Sequence, residues 1–393
     1  MRPRVLVLGA GVAGLSVAAG LAGAADTIVV DRALQAGAGA TAQNAGMVRV
    51  LCEDPVERAL AIRTARRLAE PDLSPHGRVV GALLGLVDDP QHLNDAVAGA
   101  RAAGVVVHDA PDAAAFAPIA SGARLRRAWW VPDARVVDAH GLVGALAARA
   151  GADLRLGLDV QRLVVRDGRC VGVGFADGSA ARADVVVLAA GAWCATLAAT
   201  AGLNRPLIPV RRHLLVSAPH PLARPDHPWV WLDDVGLYVR PEAGGWLGSP
   251  CDEQAAPPPP DGDSQGPVDA ARRALWLDKI ERHLPSLAGV RPVGGWTGLR
   301  TFAPDRRPMI GLDPDLPGLA WCAGLGGFGV SAGIAAGEAA AAWVLGEEVA
   351  WLSRRAVDPG RRTPSRWTIR PDGVADHARI ITAALPVSPR SPA

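Results

Sequence analysis

The N-terminal strand, glycine turn and helix, residues 5–14, constrain the fold more than any other stretch of the chain. Four apolar residues (VLVL) predict a buried parallel strand, and they run directly into a Gly-x-Gly-x-x-Gly turn that opens a helix. Gly9 permits the tight turn, Gly11 lets the backbone approach a pyrophosphate, and Gly14 lets the helix pack closely on the strand. This segment therefore predicts a Rossmann-type βαβ unit.

A second predicted strand supplies an acidic residue where a dinucleotide requires one. Residues 27–30 are apolar and lead into Asp31, about 20 residues after the glycines, where a carboxylate accepts hydrogen bonds from ribose hydroxyls. The helix N-terminus faces the phosphates with unpaired N–H groups and the positive end of its dipole. A glycine-rich turn without a ligand is the alternative. The order strand, glycines, helix, strand and acid favours a dinucleotide, either FAD or NAD.

Composition and charge exclude several functional classes. The 393 residues are 49% hydrophobic and 20% charged, which is typical of a globular chain with a large core. A net charge of +2 gives no electrostatic indication of nucleic acid or an anionic membrane as a partner. The five cysteines lack the spacing of a metal site, so we expect reduced thiols and no metal. With neither a signal peptide nor a transmembrane run, the sequence predicts a cytoplasmic protein.

Apolar periodicity gives a coarse map of the elements. It predicts helices over residues 55–68, 92–101, 136–149, 268–284 and from the glycine cluster near 329 to 345. It predicts strands over 79–87, 154–165, 171–175 and 185–188, and alternating β structure over 206–248. The proline- and aspartate-rich segment 255–266 is predicted to be a surface loop. The Arg/Pro-rich chain beyond about 351 is predicted to be loosely attached or disordered.

Four further blocks carry a resemblance to a known family. They are TAQNAGM at 41–47, DVVVLAAGAWC at 184–194, WTGLRTFAPD at 296–305 and GLGGFG at 324–329. With the glycine turn and Asp31-Arg32, they resemble the D-amino-acid oxidase superfamily of FAD-dependent oxidoreductases over roughly residues 4–362. Within that superfamily the chain is similar to bacterial D-arginine dehydrogenases, through PVRR at 209–212, LYVRP at 237–241 and LGSP at 247–250.

The resemblance implies a mixed α/β (α+β) fold with two domains. An FAD-binding Rossmann-type domain would comprise residues 1–78, 134–205 and 291–352. A substrate domain on a large antiparallel sheet would comprise 79–133 and 206–290, and an Arg/Pro-rich tail would follow at 353–393. The late helix near Gly329 would aim its N-terminus at the flavin pyrimidine ring and stabilise negative charge there. A tight strand-to-helix connection is the alternative role of that glycine cluster.

The predicted cofactor is FAD, bound without a covalent link. Sarcosine-oxidase-type members tether the flavin through a cysteine in the block 296–305, and this chain has none there. The predicted cofactor-binding residues are Gly9, Gly11, Val12, Ala13, Gly14, Asp31, Arg32, Thr41, Ala45, Gly46, Val160, Ala190, Gly191, Trp193, Arg300, Gly326, Gly327, Phe328, Gly329, Val330 and Ser331.

Three residues are candidates for the catalytic site. Oxidation of an amine by flavin needs the α-hydrogen held against the flavin and a clamp on the carboxylate. Arg300 is the clamp candidate, because a guanidinium gives a carboxylate two charged hydrogen bonds. The resemblance places the hydroxyl of Tyr238, the sole tyrosine, beside it and gives Arg212 as a second active-site arginine. The alternatives are a salt-bridge role for Arg300, a place in the core for Tyr238 and a solvated side chain for Arg212.

The implied substrate pocket departs from the D-arginine dehydrogenase pattern. Gly81 replaces the glutamate that recognises a cationic side chain, Met47 replaces a histidine, and Cys52 replaces a lid tyrosine. The other candidate pocket residues are Arg49, Trp229, Trp231 and Gly327. Without the glutamate a substrate guanidinium would be buried unpaired, and the two tryptophans would shorten the cavity. We therefore expect small or neutral D-amino acids to be favoured over D-arginine.

The sequence thus predicts an FAD-dependent D-amino-acid dehydrogenase that acts on a small amino-acid substrate. Lys279, the sole lysine, is predicted to be a surface residue. Since some oxidases of the superfamily place a lysine over the flavin, its absence favours a quinone or another acceptor over dioxygen. A glycine- or sarcosine-type oxidase that produces hydrogen peroxide is one alternative. A non-catalytic flavin-binding protein is the other.

Overall fold

The glycine-rich turn follows a strand near the centre of a six-stranded sheet. The structure, a computed structural model, describes residues 2–89, 91 and 93–362, together with the backbone of 368–369 and 375–376. In spatial order the strands are β20 (Met309–Leu312), β21 (Leu319–Ala323), β13 (Val185–Leu188), β1 (Arg4–Leu8), β2 (Asp26–Asp31) and β9 (Asp153–Leu156). Neighbouring strands pair in parallel except at the edge strand β20, which is antiparallel. This is the sheet that the sequence predicts for a dinucleotide-binding unit.

Strand β1 is buried on both faces, which explains its unbroken apolar sequence. Val5 and Val7 belong to the core shared with the helices, whereas Leu6 and Leu8 pack with residues of a small antiparallel sheet. That sheet consists of β10 (Val160–Arg166), β11 (Arg169–Phe175) and β12 (Ala180–Arg182).

Close helix packing on the other face depends on glycine. The helices there are α1 (Val12–Gly20), α2 (Pro55–Arg67), α5 (Ala139–Ala150) and α8 (Gly329–Val344). A Cβ atom at Gly14 would lie 1.9 Å from the carbonyl oxygen of Gly9, so α1 packs directly against its own turn. A Cβ atom at Gly337 of α8 would lie 2.3 Å from Cβ of Ser16 on α1. The backbones of α1 and α8 therefore approach more closely than side chains would permit.

A ten-stranded sheet forms the second large unit. Along its main path the strands are β22 (Leu325–Gly326), β19 (Pro292–Phe302), β14 (Ile208–Ser217), β17 (Gly245–Ser249), β16 (Leu237–Glu242), β15 (Trp229–Leu232), β5 (Ala82–Leu86), β7 (Arg127–Val131) and β6 (His108–Asp109), and β18 (Gln254–Ala255) pairs with β14. The pairing is antiparallel except between β15 and β5. Helix α7 (Ala270–His283) buries Trp276 and Ile280 in a core with this sheet.

The remaining elements are short. They are the sheet of β3 (Met47–Val48), β8 (Arg135–Val137) and β4 (Gly77–Val79), the hairpin of β23 (Thr368–Ile369) and β24 (Ala375–Asp376), and the helices α3 (Asn94–Ala102), α4 (Ala113–Phe116), α6 (Cys194–Ala199) and α9 (Arg354–Val357). Within the described residues, no helix combines the length and apolar character needed to cross a bilayer. Those residues also contain no cluster of side chains suited to a metal ion.

Several predicted element boundaries were wrong for local reasons. The predicted strand 79–87 divides into β4 and β5, because Gly81 has a φ of +76° and turns the chain. The run 154–165 divides into β9 and β10, which belong to different sheets. The predicted helix at 136–149 begins at residue 139, because the carboxylate of Asp138 caps it by accepting from the N–H of His140 at 3.0 Å. Strand β7 was not predicted, and His92 lies outside the described residues.

The start of the tail is packed onto the protein, contrary to the prediction that the chain beyond about 351 is loose. Val357 is fully buried, and Arg361 forms a bidentate ion pair with Asp305 at 2.8 Å. Apart from the hairpin backbone, residues 363–393 lie outside the described part of the chain. The predicted FAD-domain segment 291–352 contributes β19 to the ten-stranded sheet and β20 and β21 to the six-stranded sheet. The domain boundaries stay a prediction.

A pair of glycine substitutions tests the helix crossing. Gly337→Ala should destabilise the protein by about 1–3 kcal/mol, because the new methyl group overlaps Ser16. Gly144→Ala is the matched control, since Gly144 is an exposed position inside α5 where a Cβ atom meets nothing within 4 Å. Alanine should stabilise that helix by up to about 1 kcal/mol. Thermal unfolding followed by circular dichroism measures both changes. Equal shifts for the two variants would contradict the close crossing.

Candidate active site

A cavity of about 460 Å³ opens where the carboxyl end of β1 meets the N-termini of α1 and α8. This end of a parallel sheet is where α/β proteins bind nucleotides. Every predicted cofactor-binding residue except Gly14 lines it. Gly14 instead provides the close helix packing described above. The predicted pocket or catalytic residues that also line the cavity are Met47, Arg49, Arg212, Trp231, Tyr238, Arg300 and Gly327.

One end of the cavity has the geometry of a nucleotide site. Gly9 has a φ of +111°, and a Cβ atom there would lie 2.4 Å from the carbonyl oxygen of Ala189. A Cβ atom at Gly11 would lie 3.0 Å from Oγ1 of Thr41. The two carboxylate oxygens of Asp31 accept from the N–H groups of Ala10 at 2.7 Å and Ala33 at 2.9 Å. Each oxygen keeps a second lone pair, which a ribose hydroxyl requires.

Arginine and tryptophan side chains also lie at this nucleotide end. The guanidinium of Arg32 lies 4.8 Å from the ring centroid of Trp193 and 3.4 Å from the carboxylate of Asp159. Both contacts hold Arg32 at the wall of the cavity, next to the Asp31 carboxylate.

The N-terminus of α8 faces the same cavity. Helix α8 follows Phe328, and no side chain caps its first N–H groups. Gly326 has a φ of +57°, and a Cβ atom there would lie 2.4 Å from the ring of Phe302. Ser331 accepts from the backbone N–H of Arg49 at 3.0 Å, which ties the start of α8 to the loop after β3. An uncapped helix N-terminus that opens on a cavity favours an anionic or electron-rich ligand.

Arg300 is a buried cation without a carboxylate partner among the described residues. It lies on β19, where the long pairing with β14 places it opposite Val210. Its guanidinium donates to the carbonyl oxygens of Gln43 and of Leu299. Burial lowers the pKa of Arg300 to about 10, so the side chain stays charged at neutral pH. A buried charge held by two carbonyls leaves donor capacity for an anion in the cavity.

Tyr238 lies on β16 and faces the same end of the cavity. Its ring stacks on Trp231 with 4.7 Å between the ring centroids, and Tyr238 pairs with Ser249 across β16 and β17. Burial raises the pKa of Tyr238 to about 12, although the positive charges of Arg212 and Arg300 act in the opposite direction. The phenol therefore stays protonated at neutral pH and is a neutral hydrogen-bond donor beside Arg300.

Arg212 is held by an acidic residue that the sequence analysis did not identify. Its Nη2 donates to Oε1 of Glu253 at 2.7 Å, and its Nε donates to the carbonyl of Asp252 at 3.2 Å. Glu253 is buried and also binds Arg306 at 2.7 Å. Burial lowers the pKa of Arg212, but Glu253 and the other acidic groups around it, Asp252 among them, together raise the pKa by more, so the net shift is upward. Glu253 lies three residues after the LGSP block, which is the signal that sequence reasoning missed.

Arg49 lies between two aromatic rings on the same wall. Its guanidinium carbon is 4.5 Å from the ring centroid of Trp231 and 5.6 Å from that of Phe328. Nη1 pairs with Oδ1 of Asp233 at 2.5 Å. Burial lowers the pKa of Arg49, but Asp233 and the other acidic groups around it together raise the pKa by more. Trp231 therefore stacks on Tyr238 and on Arg49, so one tryptophan connects both polar groups.

Three predicted pocket residues do not line the cavity. Gly81 lies in the turn before β5, and a Cβ atom there would lie 2.0 Å from the ring of Trp130. Trp130 thus occupies the space that a side chain at position 81 would need. Trp229 is buried in the core of the ten-stranded sheet. Cys52 is buried behind Arg49, whose carbonyl its thiol contacts at 3.5 Å. Their assignment to the pocket is corrected accordingly.

The proline-rich 255–266 loop lies over the cavity, although the sequence predicted only a surface position for it. Its residues 262–265 line the cavity. The indole N–H of Trp193 donates to the carbonyl of Pro259 at 3.1 Å, and the amide of Gln43 hydrogen bonds with Ser264 at 3.0 Å. The loop is therefore fastened to two residues of the cavity wall.

Lys279 is not a surface lysine, contrary to the prediction. Its ammonium group donates to the carbonyl oxygens of Gly236 at 2.8 Å and of Pro250 at 2.7 Å. Burial lowers its pKa. Lys279 thus connects the turns at the ends of β16 and β17 and does not line the cavity.

The cavity fits FAD in shape and in chemistry. Two helix N-termini, an acid at the end of β2 and a close-approach glycine turn open on one space. Cys322 lines that space, and burial raises the pKa of its thiol to about 12, so it is not a thiolate nucleophile at neutral pH. This supports the prediction of a non-covalent flavin, which stays a prediction.

Comparison with known proteins gives the family. The model of the FAD dependent oxidoreductase (DAO) family matches residues 4–343. The chain is 31% identical over 337 residues to a glycine oxidase of Pseudomonas aeruginosa, which covers 81% of this chain and 88% of that protein. It is 28% identical over 191 residues to a D-amino acid dehydrogenase of Xanthobacter autotrophicus, 46% of this chain and 42% of that protein. The site and fold thus define a flavin-dependent oxidoreductase.

A solved structure shows the same fold over almost the whole chain. The iminodiacetate oxidase of Chelativorans sp. BNC1 superposes with a TM-score of 0.75 at 26% sequence identity, over 91% of this chain and 99% of that one. The chain belongs to the DAO family of FAD-dependent amino-acid oxidoreductases, as the sequence predicted. The finer likeness to D-arginine dehydrogenases stays a prediction.

The hydrogen bond between Trp193 and the 255–266 loop predicts that its loss weakens the retention of FAD. Trp193→Phe removes the indole N–H that holds Pro259 and should weaken FAD binding by about 1 kcal/mol, roughly fivefold in the dissociation constant. Fluorescence titration of the apoprotein with FAD measures this constant. The control is Trp351→Phe, since Trp351 stacks on Arg63 at 4.6 Å and does not line the cavity. If both variants bind FAD equally well, the loop does not retain the flavin.

Proposed function

We propose that this chain is an FAD-dependent dehydrogenase that oxidises the Cα–N bond of a short, non-cationic D-α-amino acid. The observation that carries the proposal is Arg300, a buried guanidinium that faces the cavity without a carboxylate partner among the described residues. A substrate carboxylate supplies the missing anion and accepts two charged hydrogen bonds. The D-amino acid dehydrogenases among the relatives support this substrate class.

The residues around Arg300 would have distinct roles. Arg300 and the neutral phenol of Tyr238 bind the α-carboxylate and orient Cα toward the N-terminus of α8. FAD, when bound, would supply the two-electron acceptor for a hydride from Cα. The amine would lose a proton, and the resulting imine would hydrolyse in water to a keto acid and ammonium. Met47, Trp231 and Phe328 give this end of the cavity apolar walls. Together with the arginines, these walls exclude a cationic side chain.

A second candidate keeps the site and changes the substrate and acceptor. The match to the Pseudomonas aeruginosa glycine oxidase extends over most of both chains and favours glycine oxidation with dioxygen as the acceptor. The D-amino acid dehydrogenase matches cover less than half of each chain. The two candidates differ in their products, because the oxidase releases hydrogen peroxide.

Anaerobic flavin bleaching tests the proposed function. Purified holoprotein mixed with D-alanine, L-alanine, glycine or D-arginine should lose its flavin absorbance with D-alanine faster than with the others. A peroxide assay in air then separates oxidase from dehydrogenase. Bleaching by glycine with stoichiometric peroxide would favour the second candidate. A flavin that no amino acid reduces would make the protein a non-catalytic flavin-binding protein.

Substitution of Arg300 by lysine tests the clamp. Lysine keeps the charge but loses the planar pair of donors, so kcat/KM should fall by about two orders of magnitude, roughly 3 kcal/mol. Arg211→Lys is the matched control, since Arg211 is on the same sheet but does not line the cavity. It should react like the wild type. A folded Arg300→Lys protein with near-normal kinetics would show that the carboxylate binds elsewhere.

A further inference from the structure

The substrate end of the cavity is strongly cationic. Arg49, Arg212 and Arg300 line this end. The acidic residues among the described lining residues are Asp31, Asp159 and Asp263. All three lie around Arg32 at the nucleotide end: Asp31 precedes it, Asp159 pairs with it, and Asp263 follows Gly262, whose added Cβ would lie 2.7 Å from Arg32. Of the described lining residues, none near Tyr238 contributes a negative charge.

The ion pairs behind this wall leave a positive charge in excess. Asp233 compensates Arg49, and Glu253 is shared between Arg212 and Arg306. Arg300 has no such partner among the described residues. An amino acid with a neutral side chain enters as a zwitterion of zero net charge, so it leaves the excess in place. An amino acid with a second carboxylate adds one negative charge and offsets part of this excess.

Arg49 is the arginine placed to receive that second carboxylate. Nη1 is occupied by Asp233, and Arg49 lines the cavity in front of this ion pair. Stacking between Trp231 and Phe328 and the backbone contact with Ser331 hold the guanidinium in place. A guanidinium held in this way loses little conformational entropy when it binds an anion.

Arg49 and Tyr238 both stack on one aromatic ring of the cavity wall. Tyr238, which lies beside Arg300, stacks on Trp231 at 4.7 Å, and Trp231 stacks on Arg49 at 4.5 Å. One aromatic ring therefore separates Arg49 from the residues that bind the α-carboxylate. A substrate that lies along this ring would have one carboxylate at each end.

We propose that Arg49 is a specificity-determining residue that binds a second carboxylate, so that the preferred substrate is a short acidic α-amino acid such as D-aspartate. This inference rests on the proposed function for the oxidation and adds the substrate class. The carboxylate at Arg49 displaces no ligand from Arg300, because the two guanidinium groups bind opposite ends of the molecule. The oxidation itself is unchanged, since the second carboxylate is not a reacting group.

The wild-type test compares pairs of molecules that differ in one group. D-aspartate and D-asparagine have the same shape but differ by one charge, and kcat/KM should favour D-aspartate by about tenfold or more. Succinate and succinamate form the matching pair of non-oxidisable ligands. Succinate should raise the melting temperature of the holoprotein more than succinamate does, and this readout needs no turnover.

Two variants locate the preference at Arg49. Arg49→Met keeps the length of the side chain and its contact with the rings but removes the charge. The ratio of kcat/KM for D-aspartate to that for D-asparagine should therefore fall to nearly one. Succinate and succinamate should raise the melting temperature by nearly the same amount. Arg49→Met/Asp233→Asn removes the buried carboxylate as well, which keeps the test valid if the single variant does not fold. Arg211→Met is the control and should keep the wild-type preferences.

Each outcome decides a separate question. Equal use of D-aspartate and D-asparagine by the wild type, or a preference that persists in the folded Arg49 variants, would overturn the role of Arg49 and leave the proposed function intact. If no amino acid bleaches the flavin, the proposed function fails. In that case the succinate and succinamate comparison still decides whether Arg49 binds a carboxylate.

Discussion

The unpaired charge of Arg300 is the constraint on which the site depends. Burying a guanidinium costs several kcal/mol unless an anion compensates it, and the described residues provide two carbonyl oxygens instead. Burial lowers the pKa of Arg300 to about 10, yet this value still leaves the group charged over the physiological range. The chain thus tolerates an unfavourable charge at one position of a rigid strand. Such a charge is stabilised when a carboxylate ligand enters.

The position of that charge depends on the contact between the two large sheets and the helices. Strand β19 belongs to the ten-stranded sheet, while α8 packs on α1 beside the six-stranded sheet. The close crossing at Gly337 and Ser16 brings the N-termini of α1 and α8 to one cavity. The pairing of β22 with the end of β19 then places Arg300 near the start of α8. The nucleotide end of the cavity and the buried guanidinium of Arg300 therefore share a single framework.

The sequence predicted those parts of this framework that depend on short-range interactions along the chain. The run 5–8, the glycine turn and Asp31 specify a βαβ unit by themselves, because apolar strands, positive φ and helix N-termini have short-range signatures. The family blocks added Arg300 and Tyr238, and the structure brings both to one cavity. Strand boundaries were less predictable. A continuous apolar run such as 154–165 does not show where one sheet ends and another begins.

The remaining site residues depend on contacts between distant parts of the chain. Arg49 and Asp233 are 184 residues apart, and the ring of Trp130 that excludes a side chain at Gly81 comes from another strand. Trp229 and Trp231 are two residues apart on β15, yet Trp231 alone of the two lines the cavity. Sequence alternation predicts a shared face but does not give the position at which a cavity ends.

The arrangement of paired arginines also bears on the ionisation of the substrate. The guanidinium groups of Arg49 and Arg212 line the cavity, and their partners Asp233 and Glu253 lie behind them. Each ion pair thus presents its positive end to the substrate. Positive charge disfavours an ammonium group and lowers its pKa. Hydride transfer from Cα requires the neutral amine, because its lone pair forms the imine. In the proposed function the arginines would therefore bind carboxylates and favour the reactive form of the amine through the same charges.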